Sequence, residues 1–475
     1  MKKSVLGSAI FLLAACGSDG SQGPQGPQGA SGDSDAGGST SLVSPAQGLL
    51  DRELDVEIGG SGTKWTDADK PDFGGMGVTV TDSHAASPTL LVAHVQIAKD
   101  APLGKRDVKV GAVTATQAFT VAPGIDVKDS ATMGAVSVDQ GGLAQFDINN
   151  NDTKAFDTNS FKLTAAGIVD LGTSASSPQA ATGFVLAAPL AAAGKGQVVV
   201  SNLGSDGNPK LSWYSDPTAL EVKARAASSL TLGTAATETF TGDGTTKLFK
   251  TASASGVSIL DFRMEVTDPK ATTLPYIIVF NASAKSGDDQ IALAGPPASL
   301  FGPAPPPYDI HATHPVLSGG ADIYAVMLDL SKSVGSAVKF TPSSIAATKV
   351  AESATAHGTG APQAIGTLPA TDGFVVDGNL AMGDVDAYQV AAVAGDKIQI
   401  AASSAADLDI LIVKTATVSD PNDPAWLDEI FSGAKASASS TVTLAGQTNL
   451  FVVVKADSQG KVPTGAYALS ARKVP

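Results

Sequence analysis

Leu54-Asp55-Val56-Glu57-Ile58-Gly59-Gly60 places an apolar residue at every second position, an acid between, and two glycines at the end. A period of two puts Leu54, Val56 and Ile58 on one face of a strand and Asp55 and Glu57 on the other. One face then buries in a core while the other meets water, which is the pattern of an antiparallel sheet covered on one side. The same beat returns downstream. Val78 and Val80 alternate, and Leu91, Ala93, Val95 and Ile97 form an apolar face opposite His94 and Gln96. A turn at Ala101-Pro102-Leu103-Gly104 leads into Asp107-Val108-Lys109-Val110, and Phe119 and Val121 close the run. Short strands punctuated by Gly and Pro at this spacing predict a β-sandwich over 42–123.

Residues 124–222 repeat the idea. Ala144, Phe146 and Ile148 alternate, and Ala188-Pro189-Leu190, Gly194-Lys195 and Val198-Val199-Val200 follow the order of Ala101-Pro102-Leu103-Gly104-Lys105 with Val108 and Val110. Residues 349–475 form another module. Glu352 opens it, followed by Gly383-Asp384-Val385-Asp386-Ala387-Tyr388-Gln389-Val390, Ala394-Gly395-Asp396 and a strand over 397–401. Asp407-Leu408-Asp409-Ile410-Leu411-Ile412-Val413, a strand over 450–454 and Gly465-Ala466-Tyr467-Ala468-Leu469 complete it. Residues 223–348 read as a divergent copy. Leu248-Phe249, 259–266 and 276–280 stand for its early strands, 322–328 parallels the strand at Leu450, and 335–340 parallels that at Gly465. A proline-rich insertion over 295–307 predicts an extended loop.

Two family resemblances follow from these residues. Pro45, the turn Gly59-Gly60-Ser61-Gly62-Thr63, Pro102-x-Gly104 and the closing Phe119-Thr120-Val121 resemble immunoglobulin-like domains of the IPT or TIG type. The ordered motifs of 349–475 resemble the bacterial pre-peptidase C-terminal (PPC) domain, a small sandwich appended to secreted proteins, often peptidases. This resemblance implies a β-sandwich and no catalysis of its own, because the peptidase portion is missing.

Composition agrees with an all-β chain of tandem sandwiches. The 475 residues leave room for three or four domains. A hydrophobic share of 43% supports folded cores, and 50 Gly and 27 Pro favour short strands with many turns. Residues 424–431 are a helix candidate. A net charge of −15 without a basic stripe excludes nucleic acid as partner, since phosphate binding needs clustered Lys and Arg.

The chain has one cysteine. Met1-Lys2-Lys3 is a basic start, 5–13 is apolar but too short to span a bilayer, and Leu13-Ala14-Ala15-Cys16 ends it. This segment resembles the lipobox of bacterial lipoprotein precursors. The resemblance implies a signal peptide over 1–15, a covalent lipid on Cys16 as the only membrane attachment, and, with Gly17 in place of Asp, an outer-membrane lipoprotein with periplasmic or surface-exposed modules. Residues 16–41 carry almost nothing apolar and are expected to form a flexible tether. Glycine at every third position over 23–32 looks like collagen, but so few triplets predict a spacer rather than a triple helix.

No catalytic set emerges. Gly-x-Ser-x-Gly, His-Glu-x-x-His, a Walker loop and a helix-opening Gly-x-Gly-x-x-Gly are all absent from the sequence. With Cys16 assigned to lipid, no thiol remains for nucleophilic chemistry or zinc. His311 and His314 fall in the proline-rich region and read as an exposed loop, and His84, His94 and His357 as surface residues. Asp384, Asp386, Asp407 and Asp409 are the Ca²⁺ candidates, since Ca²⁺ takes several carboxylate and carbonyl oxygens. The plainer reading has them facing solvent or capping turns beside Tyr388, Leu408 and Ile410. Asp147-x-Asn149-x-Asn151-Asp152 lacks the glycine and glutamate of a calcium loop. No other cofactor is implied. The reading is a non-catalytic, lipid-anchored cell-surface protein with a binding, adhesion or structural role toward an envelope protein or glycan. The alternatives are an accessory substrate-binding subunit of a separate peptidase and a glycan-acting enzyme without a familiar motif.

Overall fold

Alternation is kept where it was read. The strand Arg52–Ser61 lies between Ser39–Ser44 and Leu90–Ile97, with Val78–Ser87 completing the layer. The computed structural model describes residues 38–474 apart from 242–244, 297, 300–301, 304, 332–336, 354–357, 359, 382, 405–407, 414–428, 434–437, 445–448 and 457–463. Opposite that first layer, Gln47–Leu49, Val113–Ala122, Gly104–Val110 and Pro71–Asp72 form the second. Val56, Ile58, Leu91, Ala93, Val95 and Ile97 meet Val108, Val110, Phe119 and Val121 in a closed core. Ser39–Ser44 begins inside the expected tether. Pairing of Ser39 with Ser61 and of Thr40 with Gly60 brings residues 39–41 into the sandwich.

The second module has the same strand order. Ile125–Asp129, Leu143–Asn150 and Ala180–Ala187 make one layer, with Ser174–Ser177 and Ile168–Asp170 both pairing on the last. Its other layer is split into Val136–Asp139, Leu220–Lys223, Gly194–Gly196 and into Phe161–Ala165, Val198–Leu203, Pro209–Tyr214. The parallel pair Gln47–Leu49 with Val113–Ala122 has its counterpart in Val136–Asp139 with Leu220–Lys223. Gly104 and Gly194 open matching strands with φ of +117° and +140°, a region that glycine alone enters freely.

Residues 223–475 contain a second repeated topology. Ser228–Ser229, Thr246–Ala252, Asp322–Asp329, Pro275–Phe280 and Gln290–Ala294 form one layer in that order. Gln363–Thr367, Val385–Ala391, Asn449–Ala456, Leu408–Val413 and Glu429–Gly433 form its counterpart, and in both only the first pair is parallel. The other layers run Tyr308–Val316, Ser258–Val266, Ala337–Ala351, Ala236–Thr239 and Ala438–Thr443, Lys397–Ser404, Gly465–Val474, Gly373–Leu380. They are one sheet. Ala337–Ala351 runs on through the expected division at 348/349, and its end pairs parallel with Gly373–Leu380, from Ala347 with Gly373 to Ala351 with Asp377. No turn interrupts the backbone there, so no linker separates the modules.

Tandem β-sandwiches are therefore the fold, and among the described residues no α-helix occurs, only a 3₁₀ turn at Gly287–Asp289. The helix candidate 424–431 lies mostly outside the described residues. Its end is strand, because Glu429–Gly433 pairs with Leu408–Val413. The expected loop over 295–307 carries a small hairpin of Ala298–Ser299 and Gly302–Pro303.

Candidate functional site

Some buried charge lies where modules meet, while Arg106, Asp329 and Asp386 are buried inside single modules. At the first junction Arg52, 10% exposed, donates from Nε to Asp152 Oδ2 at 2.7 Å and from Nη2 to Ser212 O at 2.9 Å. Its guanidinium also lies 5.7 Å from the ring centre of fully buried Trp213. Burial alone would raise the Asp152 carboxyl, but Arg52 and the Lys154 N–H outweigh it and hold the group below its ordinary value. At the second junction Gln140 Oε1 accepts from Arg225 N at 3.1 Å, while the Arg225 guanidinium stays within its own module, donating from Nη1 to Thr246 Oγ1 and from Nη2 to Thr246 O. Leu186, Leu220 and Val222 there share one core with Leu248, Phe280 and Val326.

The third junction is the most charged. Asp261 stands on Ser258–Val266, His311 on Tyr308–Val316 and Arg472 on Gly465–Val474, with side chains 6%, 8% and 7% exposed. Asp261 accepts from His311 Nδ1 at 2.9 Å and from Arg472 Nη2 at 2.7 Å. His311 Nε2 lies 3.2 Å from Asp309 Oδ1, and Arg263 grips Asp309 with both Nε and Nη2. Burial pulls the Arg472 guanidinium below its ordinary value, while Asp261 opposes this. Asp309 stays low despite partial burial, because Arg263 bonds its carboxylate and His311 adds positive potential. Gln399 Nε2 donates to His311 O at 3.2 Å, tying in a further strand of the last module. Both ring nitrogens of His311 face carboxylates, so neither is left to take a proton from a nucleophile. The arrangement holds two modules together.

Several expectations are corrected here. His311 and His314 lie on a strand, not in an exposed loop, because Tyr308–Val316 pairs along its whole length with Ser258–Val266. Burial pushes His314 down to about 4, against a backbone hydrogen bond with Ile291. Of the Ca²⁺ candidates, Asp386 is buried and accepts from Tyr467 Oη at 2.7 Å, and Tyr467 in turn bonds the Tyr388 hydroxyl. Burial raises both phenols. Asp384 Oδ1 accepts from Val385 N at 2.9 Å. Asp407 lies outside the described residues, and Asp409 pairs through its backbone with Ser432 and Lys455. Among the described residues no three His, Cys, Asp or Glu side chains gather as a metal site. Leu13, Ala14, Ala15 and Cys16 lie outside the described residues, as does His357. His94 is at the surface, 2.8 Å from Asp55, whose hydrogen bond raises its pKa.

Sequence reasoning missed Asp261, Arg472, Arg52 and Asp152. One signal was available. Asp261 interrupts Ser258-Ile259-Leu260-Asp261-Phe262, and an acid inside an apolar run is buried only with a partner. That partner lies more than two hundred residues away in the sequence, where no local pattern points.

No family model and no curated protein matches the chain. Among solved structures it is similar to carbohydrate-binding modules of the β-sandwich superfamily, at 12% identity over 65% of this chain and 98% of that one, TM-score 0.15. A surface protein of the mixed-linkage glucan utilization locus of Bacteroides ovatus, solved with a heptasaccharide, is 9% identical over 61% and 74%, TM-score 0.15. The titin I9–I11 tandem is 8% identical over 63% and 94%, TM-score 0.15. Likeness this distant fixes neither a ligand nor an activity for this chain.

Proposed function

We propose that the chain is a non-catalytic, lipid-anchored outer-membrane protein whose sandwich modules form a stiff arm that presents a binding surface to an envelope partner. In this reading the first pair of modules is IPT/TIG-like and the second PPC-like, which the repeated strand order within each pair supports. The observation that carries the proposal is the placement of buried charge. Arg52 with Asp152 and the Asp261–His311–Arg472 cluster each join one module to the next. An enzyme concentrates such groups where substrate sits. Here they stiffen a scaffold, as suits presentation of loops and edges.

The anchor is tested by labelling cells with radioactive palmitate. The parent protein takes up label and fractionates with membranes, whereas Cys16→Ser is unlabelled and released from them. An unprocessed amino terminus on the parent would remove the anchor from the proposal. The binding role is tested by photo-crosslinking in intact cells, where a discrete adduct with an envelope component is expected. Absence of any adduct, together with turnover of a substrate by the purified chain, would overturn it.

A further inference from the structure

The strands Gly104–Val110 and Gly194–Gly196 occupy matching places in the first two modules, yet their outer edges are treated differently. In the first module a glycine-rich segment covers the edge. Gly74 lies against the backbone of Asp107 and Gly77 against Ala101, so closely that a β-carbon at 77 would come within 2.6 Å. Arg106, buried, pins that segment by donating to Gly74 O at 2.6 Å, Met76 O at 3.2 Å and Pro102 O at 2.7 Å. In the second module the corresponding connection is only Ala166 and Gly167, between Phe161–Ala165 and Ile168–Asp170.

Gly194–Gly196 accordingly pairs with Leu220–Lys223 on one side and, among the described residues, with no strand on the other. Along it runs a hollow of about 550 Å³ with Leu190, Leu220 and Val222 in its walls. Lys195 from this strand and Lys285 from the next module stand at its mouth, and no carboxylate lines it. Neither lysine enters an ion pair among the described residues. A β-carbon at Gly194 would meet nothing within 4 Å, and one at Gly196 only Leu220 O at 3.9 Å, so the surface beside this edge is open.

We propose that this edge receives an extended acidic peptide segment of a partner protein. Its main chain pairs with Gly194–Gly196, an apolar side chain fills the hollow, and a carboxylate sits between Lys195 and Lys285. The first module supplies the precedent, since there the chain's own segment lies on the equivalent edge. Two unpaired cations set the sign of the ligand, and the strand edge sets its extended form. The inference rests on the binding role proposed above and gives that role a place.

The test titrates the detergent-solubilised full chain with fluorescein-labelled Glu-Val-Leu-Val-Glu and with Lys-Val-Leu-Val-Lys. The acidic peptide is expected to bind about tenfold more tightly, a difference on the scale of two modest ion pairs. Lys195→Glu combined with Lys285→Glu reverses the preference. Gly196→Phe, whose β-carbon meets only Leu220 O at 3.9 Å and whose ring is meant to occupy the hollow, abolishes binding of both peptides while melting like the parent. Equal affinity for the two peptides, no binding of either, or unchanged affinity in Gly196→Phe overturns the site. The crosslinking experiment separates this failure from that of the wider reading. An adduct that persists in Gly196→Phe removes this edge and leaves the binding role, whereas no adduct with the parent, together with turnover of a substrate, removes the role itself.

Discussion

Asp261 shows how much one side chain carries. It accepts from two buried partners, His311 of its own module and Arg472 of the next, and its removal leaves the Arg472 guanidinium buried without its carboxylate. Breaking a buried pair from one side costs about 3–5 kcal/mol, because the remaining charge keeps its desolvation penalty. Asp261→Ala is expected to lose stability of that order in urea unfolding, while Asp55→Ala, beside the exposed His94, loses far less. Equal losses in the two variants would show that the cluster does not hold the junction. His314 gives a residue-level pH dependence. The unfolded chain binds its proton near 6.5 and the folded chain only near 4. Between these values the unfolded state holds more protons, so stability falls as pH drops from 6.5 to 4 and levels below. His314 is only partly covered, so the loss is scaled down to about 2 kcal/mol. His314→Gln should flatten the stability profile across that window, and an unchanged slope would exclude this residue as its source.

At the scale of elements, the local pattern was legible and its partners were not. Alternation at 54–58 and 91–97 gave strands whose inward residues are buried as read, except that Leu54 is only partly covered. Even the repeats showed, since Gly104-Lys105 and Gly194-Lys195 open matching strands. The histidines of 308–316 misled because the neighbouring prolines signal a loop, whereas a long antiparallel pairing carries the strand through Pro315. Pairing is a contact between distant segments, and local composition does not encode it. The repeated glycines make a prediction at this scale. Gly104 and Gly194 hold φ values that a β-carbon strains by about 1–3 kcal/mol. Gly104→Ala and Gly194→Ala should therefore lower the melting temperature to a similar degree, while Gly196→Ala, which meets open space at an ordinary φ, stays within about 0.5 kcal/mol of the parent. A loss in only one of the first pair would separate the two modules' architectures.

For the whole molecule, the question is whether the modules behave as beads or as one body. Sequence reading divided the chain at 348/349, which treats the last two modules as independent units. The continuous strand Ala337–Ala351 argues otherwise, because its first part pairs with Ala236–Thr239 and Ser258–Val266 and its last part with Gly373–Leu380. Opening either module frees polar backbone on the shared strand and uncovers the Asp261–Arg472 pair, so each opening costs the other module its neighbour. Hydrogen exchange read by mass spectrometry at rising urea tests this. Peptides covering Ser258–Val266 and Gly465–Val474 should exchange with the same opening free energy and the same urea slope, since they report one cooperative event. Peptides from Arg52–Ser61, joined to the remainder mainly through Arg52, Asp152 and the packing of Tyr214, should open at lower urea with a smaller slope. Arg52→Ala should widen that gap. Separate openings of Ser258–Val266 and Gly465–Val474 would mean that the joined sheet transmits no cooperativity, and the stiff arm would lose its mechanical basis at the membrane-distal end.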